Sequence, residues 1–271
     1  MEFKVRDFVN IMENYAPVKL KENYDNVGLM VGNTENTITS ILVALDCTEK
    51  VIYEAISLGC NLILTHHPLL FIKPKNITNE TLQGRKIIKL IKNDISLYSA
   101  HTNLDSVKNG INDFACKLLG FQNFEIIEPA NTTGYDNNSG VGRLINLDSE
   151  LTLKDICLRV KNAFGNEIIR YSGDENKIIK RIAIINGSGE DYFNMCSKLG
   201  VDCIITGDTT YHYVSDITED NIAVIDAEHF DTEWPALKAV AKEIEEILNK
   251  AGYEKKVYIS GESKNPYKLF K

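Results

Sequence analysis

All five histidines of this 271-residue chain fall in short clusters, most of them with carboxylates, and such clusters could hold divalent metal ions. They are His66-His67 in Leu64-Thr-His-His-Pro68, His101 in Ala100-His-Thr-Asn-Leu-Asp105, His212 in Gly207-Asp-Thr-Thr-Tyr-His212, and His229 in Asp226-Ala-Glu-His-Phe-Asp-Thr-Glu233. His101 and Asp105 are four apart, as are His229 and Glu233, which sets each pair on one side of a turn. Adjacent His66 and His67 would face opposite ways in an extended strand. At a strand end, with Pro68 turning the chain, both can swing into one pocket.

Each residue also has a structural reading. Asp105 or Asp231 could cap a helix, and His101 could be a hydrogen-bonded core residue. Taken together, the donors exceed what one tetrahedral zinc needs. Two ions about 3.5–4 Å apart, bridged by Glu233 or Asp105, fit better and could generate hydroxide at neutral pH. Hydrolysis then needs no protein nucleophile, and Ser188 has no nearby His or Asp to make a triad.

Other motifs leave alternatives. Gly187-Ser-Gly189 could cradle a phosphate or form a plain tight turn, since it lacks a third glycine and a following Lys-Ser/Thr. His212, with Asp208 and Tyr211, could shuttle protons or contact substrate, or be a partnered loop histidine. Lys73, Lys75 and Arg143 could contact phosphate or be solvated surface charges.

The elements that must position these groups alternate between strand and helix. Apolar spacing predicts a helix over Val5–Tyr15, a strand over Ser40–Ala44, and a helix capped by Thr48 and stopped at Gly59. Asn61–Thr65 reads as a strand delivering His66-His67. A helix over Thr81–Lys92 and a strand over Ile95–Ala100 then deliver His101. A second series runs through a strand at Arg181–Ile185, a helix at Glu190–Leu199 and a strand at Val201–Thr206, and a closing helix begins near Pro235 and ends at Lys250.

At one constant offset Ile41 falls on Ile182, Glu49 on Glu190, Leu58-Gly59 on Leu199-Gly200, Thr65 on Thr206, and His66-His67 on Gly207-Asp208. Common architecture or an internal duplication would each give that pattern. The polar stretch Glu128–Gly140 reads as a linker. The expected fold is therefore α/β, with two βαβ-type domains and mixed, mainly parallel sheets. Residues 1–127 with 232–271 form the first domain, carrying most metal ligands, and 128–231 the second.

A net charge of −8 argues against a nucleic-acid or anionic-membrane surface, while bound cations could still attract an anionic substrate. The 44% hydrophobic content supports a sizeable core. The six cysteines form no CxxC pair and lie in apolar stretches, as buried thiols do. No apolar leader or membrane-length run is visible, so a soluble cytoplasmic protein is expected.

With these residues collected, the chain resembles the dinuclear metal-centre family of GTP cyclohydrolase 1 type 2 homologues, the Nif-three-like proteins. The resemblance rests on Tyr24-Asp-Asn-Val-Gly-Leu-Met-Val-Gly32, Ala44-Leu-Asp-Cys-Thr48, Thr65-His-His-Pro-Leu-Leu-Phe71, Ala100–Asp105, Gly140-Val-Gly-Arg143, Gly207–His212 and Asp226–Glu233. It implies a two-domain α/β subunit in a toroidal homohexamer with metal sites facing an inner cavity. The implied ligands to two divalent ions (zinc, iron, manganese, cobalt or nickel) are His66, His67, Asp105, His229 and Glu233, with Glu233 touching both.

His101 would stand beside the metals or join them, and His101 and His212 are the candidate catalytic groups. One departure is Glu228, where the family often has glycine. The implied activity is metal-dependent hydrolysis of a nucleotide or related small molecule. The other reading is a non-catalytic metal-storing, metal-sensing or scaffold ring.

Overall fold

A computed structural model describes residues 2–130, 132 and 138–270. In chain order the elements are α1 (Val5–Tyr15), β1 (Gly28–Val31), β2 (Ile41–Ala44), α2 (Glu49–Leu58), β3 (Leu62–Thr65), α3 (Leu82–Lys92), β4 (Ser96–Ser99) and α4 (Thr102–Ser106). They continue with α5 (Ile111–Leu118), β5 (Glu125–Pro129), β6 (Gly140–Thr152), α6 (Leu153–Phe164), β7 (Arg170–Ser172), β8 (Ile178–Ser188), α7 (Phe193–Lys198), β9 (Cys203–Gly207), α8 (Tyr211–Glu219) and β10 (Ala223–Asp226). The chain closes with α9 (His229–Lys250) and β11 (Val257–Ile259).

Two compact units result, Met1–Val107 with Leu237–Lys271, and Lys108–Ala236. The division expected at 127/128 and 231/232 falls inside the second unit. Its α5 buries Ile111, Ala115 and Cys116 and packs on β6 and β8, so it belongs to that sheet rather than to the first. Glu233, expected with the first domain, likewise lies with His229 in the second unit. Of the stretch expected as a linker, Asn131 and residues 133–137 lie outside the described residues.

The first unit's sheet has the order β1-β4-β3-β2-β11, and only β1 runs antiparallel. β2 and β3 are buried at every position and apolar except for Thr65, which suits parallel strands covered on both faces. Leu42, Ile52, Ile63, Leu90 and Leu97 fill the core there. The second unit's sheet has the order β5-β6-β8-β9-β10-β7. Its parallel pairs are confined to β8-β9-β10, and β5, β6 and β7 add antiparallel pairs at both edges. The parallel share is thus concentrated in the first sheet, because β5–β6 is a hairpin rather than a crossover.

The offset seen in sequence recurs as register. Ile41 pairs with Leu62 and Val43 with Leu64, while Ile182 pairs with Cys203 and Ile184 with Ile205. The intervening helices end alike, on Gly59 at φ 68° and shortly before Gly200 at φ 66°. That is the relation a duplicated unit would show.

Local signals behave as their chemistry requires. The Thr48 hydroxyl accepts from the Val51 amide, and Thr81 does the same for Gly84. The cysteines are free, and burial pushes the Cys47 and Cys196 thiols up to about 12, which leaves them protonated and inert. Among the described residues no helix is long and apolar enough to cross a membrane.

Candidate metal centre

In the first unit, parallel β2, β3 and β4 release Asp46, His66-His67 and His101 at neighbouring C-terminal ends. His66 is buried, and its Nδ1 lies 2.8 Å from the Ala100 carbonyl oxygen. A carbonyl only accepts, so the ring proton is on Nδ1 and Nε2 carries the lone pair. His67 Nδ1 donates in the same way to Asp46 at 2.9 Å, and His101 Nδ1 to Asp25 at 2.9 Å. The Thr65 hydroxyl donates to the His67 carbonyl at 2.9 Å and fixes the turn into Pro68.

α4 sets Asp105 one turn beyond His101, with Oδ1 3.8 Å from His66 Nε2. One ring nitrogen from each of His66, His67 and His101 lies within 4.8 Å of the others, so these residues could hold a metal ion. Three imidazolium ions that close would repel by about 3 kcal/mol per pair at an effective dielectric of about 20. Neutral rings beside a divalent cation remove that repulsion. Hydrogen bonding of the distal nitrogen to oxygen is also what orients metal-ligating histidines. The donor set fits the metal.

Asp25, buried under His101, accepts from His101, from the Thr102 amide at 3.1 Å and from the Thr102 hydroxyl at 2.5 Å. Burial pushes its carboxyl up, but the His101 and Thr102 interactions outweigh this and hold it well below 3.8. A folded value below the unfolded one means stability that is complete above the unfolded value and lost as pH falls through the acid range. Asp25→Asn is therefore expected to cost about 2 kcal/mol at pH 7 and progressively less toward pH 2. Urea unfolding at both pH values, with chelator present throughout, checks this, and an unchanged gap would refute it.

In the second unit, β8, β9 and β10 end at Gly187-Ser188, Gly207-Asp208 and Asp226. His229 Nδ1 donates to Asp208 at 2.8 Å, which leaves the Nε2 lone pair 3.2 Å from buried Glu233 Oε2. That contact is held either by a proton, as an imidazolium between two carboxylates, or by a shared cation. α9 begins at His229 rather than near Pro235, so both side chains lie on one face of its first turns. Thr232 donates its amide to the Glu228 carbonyl, and Pro235 is accommodated inside the helix.

Glu228 enters the helix at φ 66°, a left-handed conformation that glycine adopts without cost. A Cβ on Gly207 would lie 2.6 Å from the His229 backbone nitrogen, so this close approach depends on glycine's lack of a side chain.

The amides of Gly187 and Gly189 already donate to Thr232 and Thr206, so this turn does not cradle phosphate. Arg143 is not a phosphate contact. It is buried, giving Nε to Asp113 and NH1 to the carbonyls of Gly140 and Gly142. His212 is exposed on α8 with its ring against Tyr211, and Asp208 serves His229 instead. Conversely, sequence reading assigned no ring-holding role to Asp25, Asp46 or Asp208, although the last two stand at strand ends one crossover before their histidines.

Known proteins resemble this chain over nearly its whole length. The chain is 53% identical over 269 residues to a Clostridium acetobutylicum protein named GTP cyclohydrolase 1 type 2 homolog, covering 99% of this chain and 100% of that one. A Clostridium perfringens protein of the same name is 52% identical, covering 98% and 99%. The crystal structure of the Staphylococcus aureus hypothetical protein SA1388 superposes with a TM-score of 0.92 at 28% identity, covering 100% of both chains. The model of the Duf34/NIF3 (NGG1p interacting factor 3) family matches residues 3–266, and the chain belongs to that family.

Proposed function

We propose that this protein is a metal-dependent hydrolase of a nucleotide or related small molecule, acting in the cytoplasm as a toroidal homohexamer. Its two divalent ions would be held by His66, His67, Asp105, His229 and Glu233. The observation that carries the reading is the common anchoring of His66, His67 and His229, each with Nδ1 hydrogen-bonded to an oxygen acceptor, as metal-ligating histidines are held. When bound, such ions supply an activated water and stabilise charge on the attacked group. The relatives' cyclohydrolase name supports a purine nucleotide as the first substrate to try.

The chain's own residues divide the remaining work. Asp46, the Ala100 carbonyl and Asp208 hold the ligand rings in one tautomer. His101, oriented by Asp25 at Nδ1 and outside the ligand set named above, would take a proton at Nε2. Exposed Lys73 and Lys75 remain as phosphate contacts.

The test is a turnover screen of fully metallated protein against GTP, other nucleotides, phosphoesters and amides. Turnover that drops at least about 100-fold in His101→Ala supports the assignment. No turnover of any substrate would leave a metal-binding ring without catalysis.

A further inference from the structure

Beside the first-unit histidines, two large aromatic side chains stand in solvent. Tyr24 is 68% exposed and Phe71 48% exposed. Their rings meet edge to face, with centroids 6.3 Å apart at 71°, and Phe71 meets the His101 ring at 6.3 Å and 86°. The three rings therefore form a continuous rim running from solvent to the candidate ligands.

The segments that carry them are irregular yet firmly tied. Asn26 Nδ2 donates to the Leu70 carbonyl at 2.8 Å, joining the Tyr24 segment to the Phe71 segment. Gln83 Nε2 donates to the Leu69 carbonyl at 2.8 Å and to the Ile72 carbonyl at 3.3 Å, so the chain is held on both sides of Phe71. Asp25, next to Tyr24, is fixed by His101 and Thr102. Side-chain hydrogen bonds thus hold in place a loop that presents apolar rings to water. Burial would explain such rings in a core, and these are not buried. Exposed rings on a fixed backbone are suited to receive a flat ring by stacking or edge contact.

We propose that Tyr24 and Phe71 are positioning residues that seat a planar heteroaromatic ring of nucleobase type, with the rest of the molecule directed toward His101. As a substrate subsite this rests on the hydrolase reading above. As a binding site it can be tested without it. The seat selects the base by its π-face, and its uncharged rings make no demand on a phosphate.

The experiment is equilibrium dialysis of the zinc-reconstituted full chain with adenosine, guanosine and cytidine, with ribose 5-phosphate as the probe lacking a base. Tyr24→Ala and Phe71→Ala are expected to weaken nucleoside binding about tenfold each, at unchanged metal content and unchanged mass by light scattering. Tyr24→Phe is expected to retain it, and ribose 5-phosphate binding should not respond to any of the three.

The proposal is overturned if wild type binds no nucleoside, if the alanine variants bind as well as wild type, or if lost binding tracks a smaller assembly. The last outcome would mark the rings as subunit packing. Metal loading without nucleoside binding removes the seat and leaves the metal reading standing. Nucleoside binding that depends on Tyr24 and Phe71 in a chain that takes up no metal removes the metal reading and keeps the seat.

Discussion

Glu233→Ala is expected to lower divalent-metal content from about two ions per chain to one or fewer, the largest functional change available from a single side chain. Glu233 is 3% exposed and lies 3.2 Å from His229 Nε2, so its removal takes away negative charge where little solvent can replace it. Second-unit backbone geometry offers an independent arm. Gly187 sits at φ 63°, and a Cβ there would collide with Glu233 Oε1 and come within 3.3 Å of His229 Nε2. Gly187→Ala should therefore reduce metal content without removing any ligand. Elemental analysis after dialysis checks both. Wild-type content in both variants would sink the assignment of Glu233, and wild type near zero after reconstitution would sink the metal centre itself.

Arg143→Ala is expected to destabilise the protein by about 3–5 kcal/mol, the largest stability loss among these substitutions. The Arg143 and Asp113 side chains are 1% and 5% exposed, and Asp113 also accepts from the Asn109 amide at 2.7 Å. Deleting the guanidinium strands a buried carboxylate and leaves two carbonyl acceptors unserved. Arg143→Lys should recover less than half of the loss, because an ammonium cannot reproduce the planar fork that reaches three acceptors. Urea unfolding in chelator measures both. A loss under about 1 kcal/mol for Arg143→Ala would show that water reaches Asp113.

How much of this was legible in the chain depended on the range of the interactions involved. Periodicity and caps are local, and α1, the Thr48 cap, Gly59 and the strands delivering His66, His67 and His101 lie where spacing put them. His101 with Asp105 and His229 with Glu233 were readable as pairs because one helical turn relates them.

The carboxylates behind the rings were not readable, since Asp25 and His101 are 76 positions apart and meet only through the fold. Arg143 looked like a free cation because nothing nearby in sequence announces Asp113, 30 positions away. The start of α9 was misplaced because Pro235 is a strong first-turn signal, whereas the true entry is the left-handed Glu228, which no propensity marks. β6 was not read as a strand, and its antiparallel pairing with β8 was therefore missed, whereas β8 and β9 pair in parallel as the strand–helix–strand pattern predicts.

The pairing of β11 with β2 also bears on how the protein is made. Val257–Ile259 hydrogen-bonds alongside Ile41–Val43, about two hundred residues earlier, so every strand of the second sheet leaves the ribosome before the first sheet can close. Until then the apolar edge of β2 stays open, a template for mispairing that nascent-chain chaperones are suited to cover. The unit begun first is thus the one completed last.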